Sequence, residues 1–363
     1  MAWVVREFSK SKIDRAGETL ISADVSVEAR NEALLIVNNW RSCHAFPLNT
    51  FQNGLRRVAK NVDGHSLLAQ RIKRLSSIEG KLRRFPTMTL SQMQDLGGCR
   101  AIVNDARSVL RLAELYRRSR MKHKLHTVDN YIEKPQSSGY RGVHFIYRYF
   151  SDRNKTYNGQ KIEVQLRSAY QHSWATAVET VGTFTRHALK SSIGPDEWLR
   201  FFALMGSVIA IKEGTNRVKG TPEDTKELIS ELRQVAAGLD VINRLETYGA
   251  ALTQFNNSVT KDAHYFLIQL EPEAQRTLIT GFKAQDLELA NERYLAIERG
   301  IAPNSSTDAV LVSVENVTFL QRAYPNYFLD TTTFVNLLRD AMKHERIRRQ
   351  RTSGGGSAQL AGR

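Results

Sequence analysis

Lys161-Ile162-Glu163-Val164-Gln165-Leu166-Arg167 is the stretch whose reading decides the fold. Apolar and polar residues alternate at period two. Ile162, Val164 and Leu166 therefore face one side of a strand, and Glu163, Gln165 and Arg167 face the other. Such a polar row is costly on a buried strand unless it opens on a cleft. The next segment reads as a helix on which His172 and Glu179 share a face.

Upstream, Val143–Phe150 alternates in the same way, and Cys99–Val103 is a short apolar run between Gly97-Gly98 and Asn104-Asp105. Val109–Lys124 reads as a basic helix. Residues 1–60 read as helical around Ala33, Leu34, Leu35, Val37 and Trp40. Helical and strand patterns thus alternate between about 71 and 182. Downstream, Thr221-Pro222 predicts a helix start with threonine as N-cap. Leu228, Leu232, Val235, Leu239 and Ile242 would carry that helix to about Tyr248.

From about 262 the pattern changes. His264–Leu270 and Ala309–Val314 read as strands, and Glu273–Gly300 and Thr331–Lys343 as helices, which predicts a small C-terminal αβ module. Asn256-Asn257-Ser258 is the most linker-like stretch. The expected division is 1–258, then 259–345, then a disordered Gly/Ser-rich tail at 346–363.

Three further clusters carry chemistry. Arg71, Lys73, Ser76 and Lys81 fall at helical intervals and offer groups that grip a triphosphate, although a solvated basic helix shows the same pattern. Asp95 precedes the Gly97-Gly98 turn into an apolar strand, a place from which a carboxylate can hold Mg²⁺, and Arg100 points into the same space. A structural turn has an Asp and a Gly pair as well. The loop Lys134-Pro135-Gln136-Ser137-Ser138-Gly139-Tyr140-Arg141-Gly142-Val143-His144 combines glycines, cations and an aromatic read as exposed, with Tyr140 able to stack on a base.

The chain has 363 residues, a net charge of +15 and only two cysteines, Cys43 and Cys99. The charge favours a polyanionic partner such as nucleotide phosphates or RNA. The cysteines exclude a disulfide framework or a thiolate zinc site and fit a cytoplasmic location. No apolar run is long enough to span a bilayer, and the N-terminus does not read as a secretory signal. No membrane partner is expected.

In this order, the four clusters resemble the synthetase domain of RelA/SpoT homologues over roughly residues 50–185. The resemblance implies an α+β fold, a mixed β-sheet flanked by helices in a nucleotidyltransferase-like core, and transfer of diphosphate from ATP, with Mg²⁺ as cofactor. It implies ATP binding by Arg71, Lys73, Ser76, Lys81 and Arg100, and metal binding and catalysis by Asp95 and Glu163. It puts Lys134, Tyr140, Arg141, His144, Gln165, Arg167 and His172 on the acceptor side. The pattern departs at Thr180, where the family usually has a histidine after the acid at 179. There is no His-Asp dipeptide, so the chain is expected to make product and not hydrolyse it.

The stretch Ala323–Asp330, with Tyr324 and Tyr327, resembles the antitoxin half of fused toxin–antitoxin RelA/SpoT proteins of the CapRel type. This implies an enzyme held off by its own C-terminal domain, with those tyrosines reaching the nucleotide site. It also implies a phage capsid protein as activator and the tRNA 3′-CCA end as acceptor. GDP or GTP as acceptor, giving an alarmone synthetase, is the alternative in the same class. A catalytically inactive phage-sensing binding protein is the alternative in another class.

Overall fold

The alternation at Lys161–Arg167 yields the strand it predicts, inside a single sheet. The computed structural model describes residues 3–185, 187, 189–250, 254–258, 262–301, 307–314 and 317–353. They form two compact units. Residues 1–132, 142–169 and 251–328 make the first, and 133–141, 170–250 and 329–363 the second.

In the first unit, α1 (Lys10–Ile21), α2 (Val27–Ser42) and α3 (Ala45–Val62) lead into the sheet. The side chains of Ser9 and Ser26 accept hydrogen bonds from the amides of Lys12 and Ala29, satisfying first-turn donors of α1 and α2. Ile13, Leu34, Val37 and Trp40 pack with Ile78 and Leu82 of α4 (Leu75–Arg84).

The strands are β1 (Leu67–Ile72), β2 (Gly97–Val103), β3 (Lys124–Asn130), β4 (Val143–Arg148), β5 (Lys161–Ser168), β6 (Gln254–Ser258), β7 (Tyr265–Glu271), β8 (Arg276–Phe282) and β9 (Asp308–Ser313). Among the described residues they form one nine-stranded sheet in the order β3-β4-β5-β2-β1-β9-β7-β8-β6. The pairs β2/β5 and β6/β8 are parallel and the other neighbours antiparallel, so the sheet is mixed. Helix α5 (Ala106–Arg118) buries Val109, Leu112 and Tyr116 against Phe145, Val164 and Leu166. Cys43 and Cys99 are buried free thiols.

The expected boundary near 258 does not separate two bodies. Asn256-Asn257-Ser258 is strand β6, not a linker. With α10 (Leu287–Gly300), strands β7 to β9 enclose a small core of Tyr265, Leu267, Phe282, Ala290, Tyr294 and Leu311. Yet β9 also pairs with β1 through Gln70↔Ser313 and Arg71↔Val312, which joins these strands to the main sheet. Helix α11 (Val317–Ala323) completes this part.

The second unit is helical, with α6 (Ala169–Thr185), α7 (Asp196–Glu213), α8 (Thr225–Gly238), α9 (Val241–Ala250) and α12 (Thr332–Ser353). Phe201 and Phe202 of α7 pack on Phe334 of α12.

Local readings fail in five places. The cap of α8 is Asp224, whose side chain accepts from the amides of Lys226 and Glu227, in place of Thr221. The helix expected to reach Tyr248 breaks at Asp240, which has φ 47°. Arg276–Phe282 is a strand where helix was read, and the helix read over Val109–Lys124 ends at Arg118, ahead of β3, an edge strand with little buried surface to give it a pattern. Helix α12 runs to Ser353, so 346–353 is not a disordered tail, and 354–363 lies outside the described residues. Among the described residues no helix is long and apolar enough to cross a membrane.

Candidate active site

The first cluster is not one helix. Arg71 ends β1, Lys73 lies in the turn, and Ser76 and Lys81 sit on α4, with Ser76 exposed. The turn is set by the Lys73 amide donating to the Leu96 carbonyl at 2.8 Å. It brings both lysines onto Asp95, with Lys73 Nζ 2.7 Å from Oδ2 and Lys81 Nζ 3.0 Å from Oδ1. Burial pushes the Asp95 pKa up, but the two ammonium groups outweigh burial and hold it well below the usual carboxylate range. Burial also lowers Lys73, only partly offset by Asp95.

Gly97-Gly98, expected as a turn, are the first two residues of β2. A methyl added at Gly97 would lie 2.9 Å from Ile162 Cδ1, whereas one at Gly98 would lie at an ordinary contact distance of 3.7 Å from Glu163 Oε2. Gly98 faces Glu163 across the parallel β2/β5 pair.

Glu163 is where the polar face of β5 is used. Its Oε1 lies 3.0 Å from His144 Nδ1 on β4, and its Oε2 accepts from Gln165 Nε2 at 2.6 Å. Gln165 Oε1 in turn accepts from Arg167 Nη2 at 2.8 Å. Burial pushes the Glu163 pKa up and the Asp95 charge adds to this, but His144 and Gln165 outweigh both and leave it below the ordinary 4.5. The site thus holds two ionised carboxylates among Arg71, Lys73, Lys81, Arg100 and Arg167, a surface suited to polyphosphate.

These shifts fix a pH dependence. Both carboxylates have folded pKa values below their ordinary 3.8 and 4.5. The stability they contribute is complete above those values and is lost as pH falls through the folded values. Thermal melts between about pH 5 and pH 2 are expected to fall more steeply for the parent chain than for Asp95→Asn. Equal slopes would mean the carboxylate is not held below its ordinary range.

Arg100, on β2, is in register with Gln165, two residues from Glu163 along β5. Its guanidinium lies 4.6 Å from the Tyr324 ring centroid and donates to the Ala323 carbonyl. Tyr324 is 3% exposed, and its hydroxyl donates to the Gln70 carbonyl at 2.9 Å. Tyr327 is also buried, with Arg74 over its ring at 6.0 Å.

The remaining acceptor-side candidates lie in the second unit, except His144, Gln165 and Arg167. Lys134 is exposed there. Tyr140, expected to be exposed, is 3% exposed, against Trp174 with Lys190 over its ring at 5.4 Å. Arg141 is buried and donates to the Gly206 carbonyl, to Thr215 Oγ1 and to the Asn216 carbonyl. Burial pushes its pKa down to about 10. In this arrangement Arg141 is a strut. His172 is buried on α6, and Glu179 pairs with Lys190 at 2.9 Å.

The glycine read as admitting a ligand instead admits a helix. Gly139 has φ +97°, and an added methyl would lie 2.5 Å from the Phe202 carbonyl oxygen of α7. Gly139→Ala is expected to cost roughly 3 kcal/mol or more through backbone strain plus overlap. A urea midpoint unchanged from the parent would refute this.

The sequence reading did not find His144 as the partner of Glu163, or Arg74 and Gln70 as neighbours of the tyrosines. Only the strand register of β4 on β5 could have signalled the first.

Residues 70–183 match the family model described as a region found in RelA / SpoT proteins. No curated protein matches the chain. Among solved structures, small alarmone synthetase 1 from Bacillus subtilis is 19% identical, with a TM-score of 0.40 over 47% of this chain and 88% of that one. The same protein bound to its product pppGpp is 17% identical, with a TM-score of 0.42 over 51% and 94%. A GTP pyrophosphokinase family protein from Streptococcus pneumoniae is 17% identical, with a TM-score of 0.41 over 52% and 91%. Arg71 through Glu179 all fall inside the region that matches the family model.

Proposed function

We propose that this chain is an ATP-dependent pyrophosphokinase that transfers diphosphate to the 3′-hydroxyl of the tRNA CCA end, is held off by its own C-terminal segment and is released by a phage capsid protein. The observation that carries the enzyme reading is the pair of ionised acids, Asp95 and Glu163, set among cations within the matched region.

The acceptor oxygen attacks the β-phosphorus of ATP in line. The bond from that phosphorus to the α,β-bridging oxygen breaks, and AMP leaves. Glu163, kept ionised by His144 and Gln165, accepts the proton of the attacking hydroxyl. Lys73, Lys81 and Arg71 balance the phosphate charge, since positioning and charge neutralisation dominate such transfers.

Among the described residues no group of three or more His, Cys, Asp or Glu could hold a metal by itself. Mg²⁺ does not need one, because it binds through one or two carboxylates plus waters and substrate phosphates. Asp95 and Glu163 fit that donor set, and Mg²⁺ bound there would neutralise charge on the transferred group.

Support for autoinhibition is the engagement of Arg100, an ATP-side candidate, by Ala323 and Tyr324. Support for a tRNA acceptor is the net charge of +15 and the exposed Arg57, Lys60, Arg111 and Arg120 on or near the packed pair α3 and α5. The chain and a Tyr324→Ala variant would be given γ-labelled ATP with deacylated tRNA, GDP and GTP side by side. Label on tRNA supports the reading. Label only on guanine nucleotide makes the chain an alarmone synthetase. No transfer to any acceptor favours the inactive binding protein, with capsid binding as its readout.

A further inference from the structure

The turn from β1 into α4 carries Lys73, and each of its backbone steps is held by a group from elsewhere in the first unit. Arg41 of α2 is 1% exposed and donates from Nε to the Lys73 carbonyl at 3.0 Å. Its Nη1 donates to Asn38 Oδ1 at 2.8 Å and to Glu298 Oε2 at 2.7 Å, and its Nη2 to Tyr294 Oη at 2.8 Å. Arg74 pairs with Asp308 at the start of β9. The Leu75 amide donates to Glu298 Oε1 at 2.9 Å, and the Tyr294 hydroxyl donates to the same oxygen at 2.6 Å.

Leu75 is the first residue of α4. The residue at the cap position, Arg74, makes no side-chain cap hydrogen bond. First-turn amides of a helix need an acceptor, and a carboxylate is the strongest one available. Glu298 supplies it from α10, more than two hundred residues along the chain. Its side chain is 7% exposed and that of Arg41 2%, so both charges are out of water and fixed in geometry by each other. Nearly two turns of α4 onward, Lys81 meets Asp95, and Lys73 meets the same acid from the turn.

We infer that Glu298, together with Arg41 and Tyr294, is a positioning group for the ATP-phosphate turn Lys73–Leu75, so that the C-terminal part of the chain completes the synthetase site as well as covering Arg100. This rests on the reading of Lys73 and Lys81 as phosphate-binding groups. It has a consequence for release. An activating partner has to displace Ala323 and Tyr324 without withdrawing α10, because loss of Glu298 would leave Arg41 buried without its counter-charge and the first turn of α4 without its acceptor. Release is then a local movement of the tyrosine segment and not departure of the whole C-terminal part.

The test uses the full chain with Tyr324→Ala as parent. Glu298→Ala and Glu298→Gln are added singly, with the Gln amide oxygen still able to accept from Leu75. The first readout is hydrogen exchange of the amides of residues 75–77. The second is the KM for ATP against kcat for diphosphate transfer. Glu298→Ala is expected to speed exchange of that turn and raise the ATP KM about tenfold or more, with the KM for the acceptor unchanged. Glu298→Gln is expected to restore protection and most of the ATP affinity. Unchanged exchange in Glu298→Ala overturns the proposal. So does a loss of activity that follows the melting temperature equally in both variants. If the parent transfers no diphosphate, the enzyme reading fails while the exchange readout still decides whether Glu298 positions the turn.

Discussion

Tyr324→Ala is expected to raise the rate of diphosphate transfer by at least about tenfold over the parent chain. The argument is one of populations. The closed arrangement gains from burying the Tyr324 ring, about 2 kcal/mol. It gains roughly 1 kcal/mol from the hydroxyl bond to Gln70. The ring over Arg100 adds about 1 kcal/mol. Alanine removes all three contributions, and even a third of their sum changes a two-state ratio about tenfold. Tyr324→Phe keeps the ring contact and loses only the hydroxyl, so its rate should fall between the two. Rates are read with saturating ATP and either acceptor. Equal rates for the parent and Tyr324→Ala would sink the idea that this residue holds the enzyme off. A faster Tyr324→Phe than Tyr324→Ala would show that the hydroxyl matters more than the ring.

Glu163→Gln, made in the Tyr324→Ala chain, should lower kcat by about 10³-fold, the scale of a lost general base. The amide keeps the volume of the carboxylate and can still hydrogen-bond, but it cannot take the proton of the attacking hydroxyl. Folding should change little, by about 1 kcal/mol, because the amide still offers His144 and Gln165 a hydrogen-bonding group of the same size. The melting temperature and the KM for ATP are the controls. A kcat within about threefold of the Tyr324→Ala chain would remove Glu163 from catalysis. A collapsed melt would mean that the His144–Glu163 pair is structural first. Asp95→Asn tests a different role, since it leaves Lys73 and Lys81 facing an uncharged group and should act mainly on ATP binding.

Much of the candidate site was legible because its residues sit at register positions of regular elements. Alternation in Lys161–Arg167 put Glu163, Gln165 and Arg167 on one face, and the structure shows them joined along that face. The glycine pair before Cys99 reads as a turn but begins β2, where Ile162 fills the space at Gly97. Tyr140 and Arg141 misled because composition shows that a loop has an aromatic and a cation but not which way they turn. Both are buried in the second unit.

The sequence by itself determined the strands β2, β4, β5, β7 and β9 within a residue or two of their ends and singled out Asp95 and Glu163 as candidate acids. Each of these depends on neighbours within a few positions, where side-chain periodicity and turn chemistry act. The tertiary structure alone decided that β9 lies beside β1, that Tyr324 meets Arg100, and that Glu298 caps α4 beside Arg41. These contacts join residues more than two hundred positions apart, and no local pattern specifies them. What selects them is burial. Once strand β9 and helix α10 are packed, Arg41 and Glu298 have left water, and each is the other's counter-charge.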